Sequence, residues 1–406
     1  MRLSLIPDSD RAERLFLLDV LADAIGDRVE RDFDAERFLA ITPEKLYPLV
    51  YVRLQPHAQR LGLPASLLEP LAAAHRKNLF AELRRGAELR RIDGALKGAG
   101  IDYLLLKGPV LASTVYPQRA ARTMTDLDFL IAEEELPRAM AVLADAGYRV
   151  PPRFAGSELA AGDAPPLIHD EPGGPSIELH TMLDSLPEER NALAAMLPSA
   201  RMVDVGHGLM LPALERGEFF AHVVAHVSKH HRFEGELRSL LDVALLLRAE
   251  EHALDWSALD AEWTRRGLTD WFVLTVALAN ILLDAPIPSI YRDRTPSTEA
   301  LAIAAEQLWI VEKSRVPTSI TYSVARRAPT PVHAQVAAET VPVPGGMRGA
   351  RARAERQFER ARSVLSAIRR GAMRPSVIAS DVDLFLKRER LFALVEASRA
   401  PEREQA

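Results

Sequence analysis

The sequence contains no cysteine, which excludes disulfides, thiolate nucleophiles and cysteine zinc sites. It also has no surplus of positive charge. Lys and Arg total 51 against 56 Asp and Glu, a net charge of −5, so a general basic coat for nucleic acid is excluded, though not a local patch. Long apolar runs are missing too. The longest uncharged stretch, Trp271–Leu283, has 13 residues, whereas a membrane-spanning helix needs about 20. The opening MRLSLIPDSDRAERLF meets acidic residues before any apolar region of secretory length. These absences set the expectation of a cytoplasmic protein with no membrane span.

What is present is ordinary globular material. Of 406 residues, 48% are hydrophobic and 26% charged, enough apolar content to build a core. The length allows two or three domains. Apolar residues three and four apart predict helices over 10–25, 35–38, 43–54 and 65–96, with Gly98 and Gly100 ending the last. The texture changes between Ile101 and Val205. IDYLLLKG reads as a buried strand stopping at Gly108, and TDLDFLIA as a second. A helix follows over 133–146, and PLIHDEPGGPSIELHTML reads as a hairpin about a Gly-Gly-Pro turn. Helical patterns return after Gly217 and again over 380–398. The fold class predicted is α+β: a small mixed sheet flanked by N- and C-terminal helical regions. The expected division is a helical region 1–98, an α/β core 99–205, a helical domain 206–327 closing a cleft, a Pro/Ala/Val-rich linker 328–346 and an Arg-rich tail 347–406.

The chemistry concentrates at Asp126-Leu127-Asp128. Residues two apart on a strand share a face, so both carboxylates project together while Leu127 and Phe129 pack behind them. Adjacent carboxylates repel unless a cation sits between them, and Mg²⁺ favours a few carboxylate oxygens plus substrate phosphates. Ile177-Glu178-Leu179 repeats the apolar–acid–apolar pattern, so Glu178 is the expected third carboxylate, with Asp170 and Asp184 as alternatives. Three carboxylates on neighbouring strands can hold two metals for a phosphoryl displacement. Upstream, Lys107-Gly108-Pro109 closes a strand and opens a helix, a place where free backbone N–H groups and a lysine charge suit a phosphate. Arg119 and Arg122 lie just before the Asp pair.

This set resembles the nucleotidyltransferase superfamily of polymerase beta, poly(A) polymerases and aminoglycoside nucleotidyltransferases. It is more closely similar to a bacterial family known as uncharacterised nucleotidyltransferases. The matching positions are Leu106-Lys107-Gly108, Tyr116, Arg122, Asp126 and Asp128, Glu178-Leu179-His180, the pair His222 and His226, and Leu240-Leu241-Asp242. The likeness spans roughly residues 75–275. Pro109 departs from the Gly-Ser or Gly-Gly usual in the superfamily, and the 17 residues between Gly108 and Asp126 exceed its norm.

The resemblance implies transfer of a nucleoside monophosphate from a nucleoside triphosphate such as ATP to an acceptor, releasing pyrophosphate, with Mg²⁺ or Mn²⁺ as cofactor. Asp126, Asp128 and Glu178 are then the catalytic and metal-binding residues, Glu178 also helping to deprotonate the acceptor. Lys107, Gly108, Arg122 and His180 bind nucleotide, and His222, His226, Arg238 and Asp242 line the cleft. The acceptor is a sugar, a small metabolite, a peptide or a protein; nucleic acid is not an expected partner.

Plainer readings stand beside these. Asp381-Val382-Asp383 repeats the Asp-x-Asp spacing without the flanking strands and reads as a helix cap. His222, His226 and His230 form one helical stripe, but the acidic partner of a zinc helix is missing, so packing or a cleft wall is the better reading. Arg238 and Asp242 are spaced for an intrahelical ion pair. Residues 348–374 carry nine arginines against two glutamates, with Phe358 as the lone aromatic; a solvated helix face accounts for that without a ligand. The rival function is a catalytically silent nucleotide-sensing or partner-binding module on the same fold. A kinase-like phosphotransferase ranks third, since neither a Gly-rich kinase loop nor a Walker lysine motif is present.

Overall fold

Short apolar runs become the centre of a five-stranded mixed sheet in the computed structural model of the chain, which describes residues 1–27, 33–154, 164–170, 173–184, 191–310 and 375–397. The linker 328–346 and the arginine-rich 348–374 lie outside these residues. The strands are β1 (Tyr103–Leu105), β2 (Asp126–Ile131), β3 (Tyr148–Arg149), β4 (Ile168–His169), β5 (Ser176–His180), β6 (Arg201–Asp204) and β7 (Met210–Ala213). The large sheet runs β5-β2-β1-β7-β6, and β3 pairs with β4 in a separate ribbon.

The β2–β5 pairing is parallel, reached through a crossover that contains the helix Leu136–Asp145. Its register sets Leu127 beside Ile177, Asp128 beside Glu178 and Phe129 beside Leu179. Leu127, Phe129, Ile177 and Leu179 are all buried, while the other face carries the acids. Residues level with each other on paired strands point to one side, so the apolar–acid alternation of two separate segments becomes one acidic face. On the other side of β2, β1 runs antiparallel, and Leu106 N–H donates to the Asp128 carbonyl at 2.9 Å. That bond brings the end of β1, and hence Lys107, level with Asp128.

Two expectations change. The hairpin over 166–183 survives only as a short edge: Leu167 exchanges both backbone bonds with Ile177, at 2.7 and 2.9 Å, and β4 turns away to pair with β3. The sheet also gains β6 and β7, an antiparallel pair around Gly206, His207 and Gly208, all three at positive φ.

Helices cover the rest. Ala65–Gly98 is the 34-residue helix ahead of β1. The apolar run Trp271–Leu283 lies within the helix Thr269–Leu283, whose Trp271, Phe272, Leu274, Val276, Leu278, Ala279, Leu282 and Leu283 are all buried. A helix apolar on every side belongs in a core, and this one packs Phe272 on Trp263 with ring centroids 3.6 Å apart. No described helix is long and apolar enough to cross a membrane.

Chain contacts divide the protein into two units: residues 1–231 with 236–296, and residues 232–235 with 297–406. The second contains the helices Thr298–Leu308 and Pro375–Ala397. Ion pairs Lys387–Glu306 at 2.7 Å and Arg390–Glu299 at 2.9 Å join them, and Leu391 is buried there.

Candidate active site

The parallel register does the first work. Asp128 and Glu178 sit side by side, and His180, two residues beyond Glu178, shares their face. His180 Nε2 lies 2.8 Å from Asp128 Oδ1 and 3.9 Å from Glu178 Oε2. One ligand atom from each of these three residues falls within 4.8 Å of the others. Asp126 occupies the same face two residues earlier, half-buried, but outside that group among the described residues.

Lys107 closes the group from β1, its Nζ 3.2 Å from the same Asp128 Oδ1. It adopts φ 41° and ψ −104° at the start of the helix Gly108–Thr114. Such backbone is costly for a residue with a Cβ and persists only where the surroundings enforce it, commonly at functional sites. Gly108 follows with no room for a side chain: a Cβ there would lie 2.6 Å from Met124 Sδ and 3.2 Å from an Arg122 nitrogen. Packing by Met124 therefore accounts for the glycine without a phosphate.

Charge in this corner is unevenly compensated. Burial would raise the pKa of Asp128, which is only 4% exposed, but the Lys107 ammonium and the His180 bond hold it well below the usual carboxylate range. Glu178 goes the other way. Burial, then the charges of Asp128 and Asp126, push it up. Burial works against the Lys107 ammonium too, yet Asp128 and then Asp184 keep its pKa above the ordinary value. A divalent cation fits this donor set: two carboxylates and one imidazole converge, and the repulsion that raises Glu178 is what a cation relieves. Oxygen donors of this kind suit Mg²⁺ or Mn²⁺.

Other predicted residues gather elsewhere. Arg122 makes no hydrogen bond to the carboxylate group among the described residues. Its guanidinium grips Asp242 with both arms, Nε to Oδ1 at 3.0 Å and Nη2 to Oδ2 at 2.8 Å, and Tyr116 O–H donates to the same Oδ1 at 2.7 Å. Both ions are buried, at 5% and 2% exposure. Removing one partner of such a pair strands a charge away from water, so Arg122 and Asp242 hold each other in place. Arg238 does not use Asp242 as its intrahelical partner here; its Nη1 donates to the Thr123 carbonyl at 2.8 Å. Asp170 pairs with Arg149 on the small ribbon.

The histidine stripe lies in this unit too. His226 Nδ1 is 2.8 Å from Asp184 Oδ2, and His230 Nδ1 is 3.1 Å from Asp184 Oδ1. Asp184 is held well below its usual pKa: burial opposes this, and the two histidine bonds outweigh it. His222 is 3% exposed, and neither ring nitrogen has a hydrogen-bond partner among the described residues. Burial, opposed by the Asp184 charge, pushes its pKa down to about 3, so the ring is neutral. Sequence reasoning gave Asp184 only as a spare carboxylate and passed over His231, whose Nε2 meets His226 Nε2 at 3.1 Å.

No curated protein matches the chain. Residues 31–284, more than half of it, match the family described as uncharacterised nucleotidyltransferase. The mixed five-stranded sheet with helical flanks and the converging acids accord with that match, and the protein belongs to this nucleotidyltransferase family.

Proposed function

We propose that the protein transfers a nucleoside monophosphate from a nucleoside triphosphate to an acceptor, releasing pyrophosphate, and that Mg²⁺ or Mn²⁺ is required. One observation carries this reading: Asp128, Glu178 and His180 offer three donor atoms within 4.8 Å of one another on adjacent parallel strands. Asp128 and Glu178 hold the cation, with His180 beside them and Asp126 on the same face toward the nucleotide phosphates. When bound, the cation offsets triphosphate charge and polarises the α-phosphate for in-line attack. Lys107 exchanges its contact with Asp128 for the triphosphate, adding a positive charge that follows the leaving pyrophosphate. Its constrained backbone keeps the ammonium at this spot. Catalysis then rests on orientation and fixed charge rather than on a protein nucleophile, as suits a chain without cysteine. The acceptor is a sugar, a small metabolite, a peptide or a protein.

The test uses purified protein with α-³²P-labelled ATP, GTP, CTP or UTP, Mg²⁺ or Mn²⁺, and cell extract as the acceptor pool. Metal-dependent release of pyrophosphate with label transfer, lost in Asp126→Ala/Asp128→Ala, is the expected outcome and identifies the base. ADP from ATP instead of pyrophosphate would point to phosphoryl transfer. Nucleotide binding without turnover, equal in both proteins, would mean a silent sensing module.

A further inference from the structure

The helix Arg216–Ala225 does not end at Ala225 but widens into a π turn over His226–His230, closed by His231 N–H on the His226 carbonyl at 3.0 Å. The i→i+5 bond of the π turn brings positions 226 and 231 nearer to one face than an α-helix would. Their rings meet edge to face with centroids 4.4 Å apart. Asp184, four residues after His180, clamps the turn from below through His226 Nδ1 and His230 Nδ1. A carboxylate only accepts hydrogen bonds, so both Nδ1 atoms carry the proton in the neutral rings. That leaves His226 Nε2 with its lone pair, and His231 Nε2–H is the donor that fills it at 3.1 Å.

An imidazole fixed at Nδ1 by a half-buried carboxylate, with Nε2 presented to a hydroxyl, is the arrangement of a general base. Resting on the nucleotidyltransferase reading above, we propose that His226, oriented by Asp184, takes the proton of the acceptor, and that the acceptor is therefore an alcohol: a sugar, a hydroxylated metabolite or a Ser, Thr or Tyr side chain. The acceptor O–H takes the place of His231 Nε2–H on His226 Nε2. The O–H bond breaks and its proton moves to Nε2, while the oxygen lone pair forms the bond to the α-phosphorus. The bond from α-phosphorus to the bridging oxygen breaks, and its electron pair leaves with pyrophosphate. Asp184 balances the imidazolium until the proton passes to water.

Glu178 is less suited to this task, because a carboxylate that ligates a cation has its basicity reduced. The groups acting on His226 are Asp184 beyond β5, Lys107 beyond β1, Asp128 on β2, and His222, His230 and His231 on its own helix. Burial and the Lys107 charge lower its pKa, and Asp184 offsets only part of this, so the ring is unprotonated at neutral pH, as a base must be. His222, buried one turn earlier with no partner at either nitrogen among the described residues, marks the same stretch of helix as short of a hydrogen-bonding ligand.

The full-length protein is assayed for label transfer from the α-³²P nucleotide it uses, with cell extract as acceptor, beside His226→Ala, His226→Asn, Asp184→Asn and Asp128→Asn. His226→Ala should lose about 10²- to 10⁴-fold in kcat with little change in KM for the nucleotide, and added imidazole should restore part of the rate, more so as pH rises and imidazole loses its proton. His226→Asn should stay equally slow, because Asn keeps the donor to Asp184 but supplies no base. Asp184→Asn should lose less than His226→Ala. Thermal melts confirm that each variant is folded. Wild-type rates in His226→Asn, or a folded His226→Ala that ignores imidazole, would overturn the dyad while leaving the transferase intact, provided Asp128→Asn is inactive. A wild type that releases no pyrophosphate would overturn both.

Discussion

Asp128 and Asp242 are both aspartates buried to within a few per cent, both lie opposite a basic side chain, and both fall within the span that matches the family. They differ in how completely they are satisfied. Asp242 receives two guanidinium bonds and a tyrosine hydroxyl, so both of its oxygens are engaged. Asp128 shares a single oxygen between Lys107 and His180, next to a Glu178 whose pKa is pushed up by like charge. A closed constellation stabilises the fold. An open one, with surplus negative charge around a single lysine, suits a ligand.

The largest effect should come from the open site. Asp128→Asn keeps the shape and removes the charge, and activity should fall about 10³-fold or more, in line with the loss of a metal-holding or charge-stabilising group. Mn²⁺ binding, followed by electron paramagnetic resonance, should weaken in parallel while the melting temperature changes little. A variant that melts early but turns over normally once folded would place Asp128 with Asp242, as a structural ion.

The closed site should answer in the opposite currency. Asp242→Ala leaves Arg122 and the Tyr116 hydroxyl buried without their partner, and breaking such a pair costs roughly 3–5 kcal/mol. Urea denaturation should show this as a lower midpoint with an unchanged slope. The double variant Arg122→Met/Asp242→Leu should recover much of the loss, because apolar replacement of both ions removes the stranded charge. No such rescue is expected from pairing an apolar Asp128 variant with Lys107→Met, since activity there depends on charge.

The distinction between the two sites was only partly legible in the sequence. Period-two alternation over 126–131 and 176–180 located both strands and their acidic face, because Leu127, Phe129, Ile177 and Leu179 are all buried behind the acids. The parallel register that sets Glu178 beside Asp128 is a tertiary fact, and the hairpin that local turn residues suggested keeps only a short antiparallel edge on the other side of β5. β6 and β7 were missed: Val203, Val205, Leu209, Leu211 and Ala213 alternate about a Gly-His-Gly turn, but Pro212 inside the second run hides a strand. Spacing showed the charge of Arg122 but not its ion-pair partner Asp242, which lies 120 residues on. The π turn left no signal in the sequence: His226 and His231 fall on different helical faces until the backbone widens.

A smaller effect tests the electrostatics of the open site through stability. Glu178 has a raised pKa when folded, so the native state holds its proton longer than the unfolded chain does. Its contribution is therefore least unfavourable in acid, and stability is lost as pH rises through the folded value. Glu178→Gln removes that penalty, so at neutral pH the variant should melt above wild type, and the two curves should converge below the ordinary carboxylate range. Its side chain is 39% exposed, so solvent screening keeps the gain to about 1 kcal/mol or less. The same variant should be slower in label transfer. A lower melting point at neutral pH would mean that Glu178 is an anchored structural acid.

The smallest effect belongs to the second Asp-x-Asp, and it bears on why spacing alone misleads. Asp383 lies inside the helix Pro375–Ala397, not on a strand, so two residues along the chain turn it by about 200° rather than back to one face. Its carboxylate is exposed and pairs with Lys387 one turn later at 2.9 Å, an arrangement any solvated helix supports. Lys387 also reaches Glu306 at 2.7 Å, so the lysine keeps a partner when Asp383 is removed. Asp383→Asn should leave label transfer at the wild-type rate and cost no more than about 0.5 kcal/mol, the range for an exposed pair of this spacing. A loss of activity comparable to that of Asp128→Asn would show that the strand register is not what separates a catalytic Asp-x-Asp from an ornamental one, and would require the C-terminal helix to take part in the reaction.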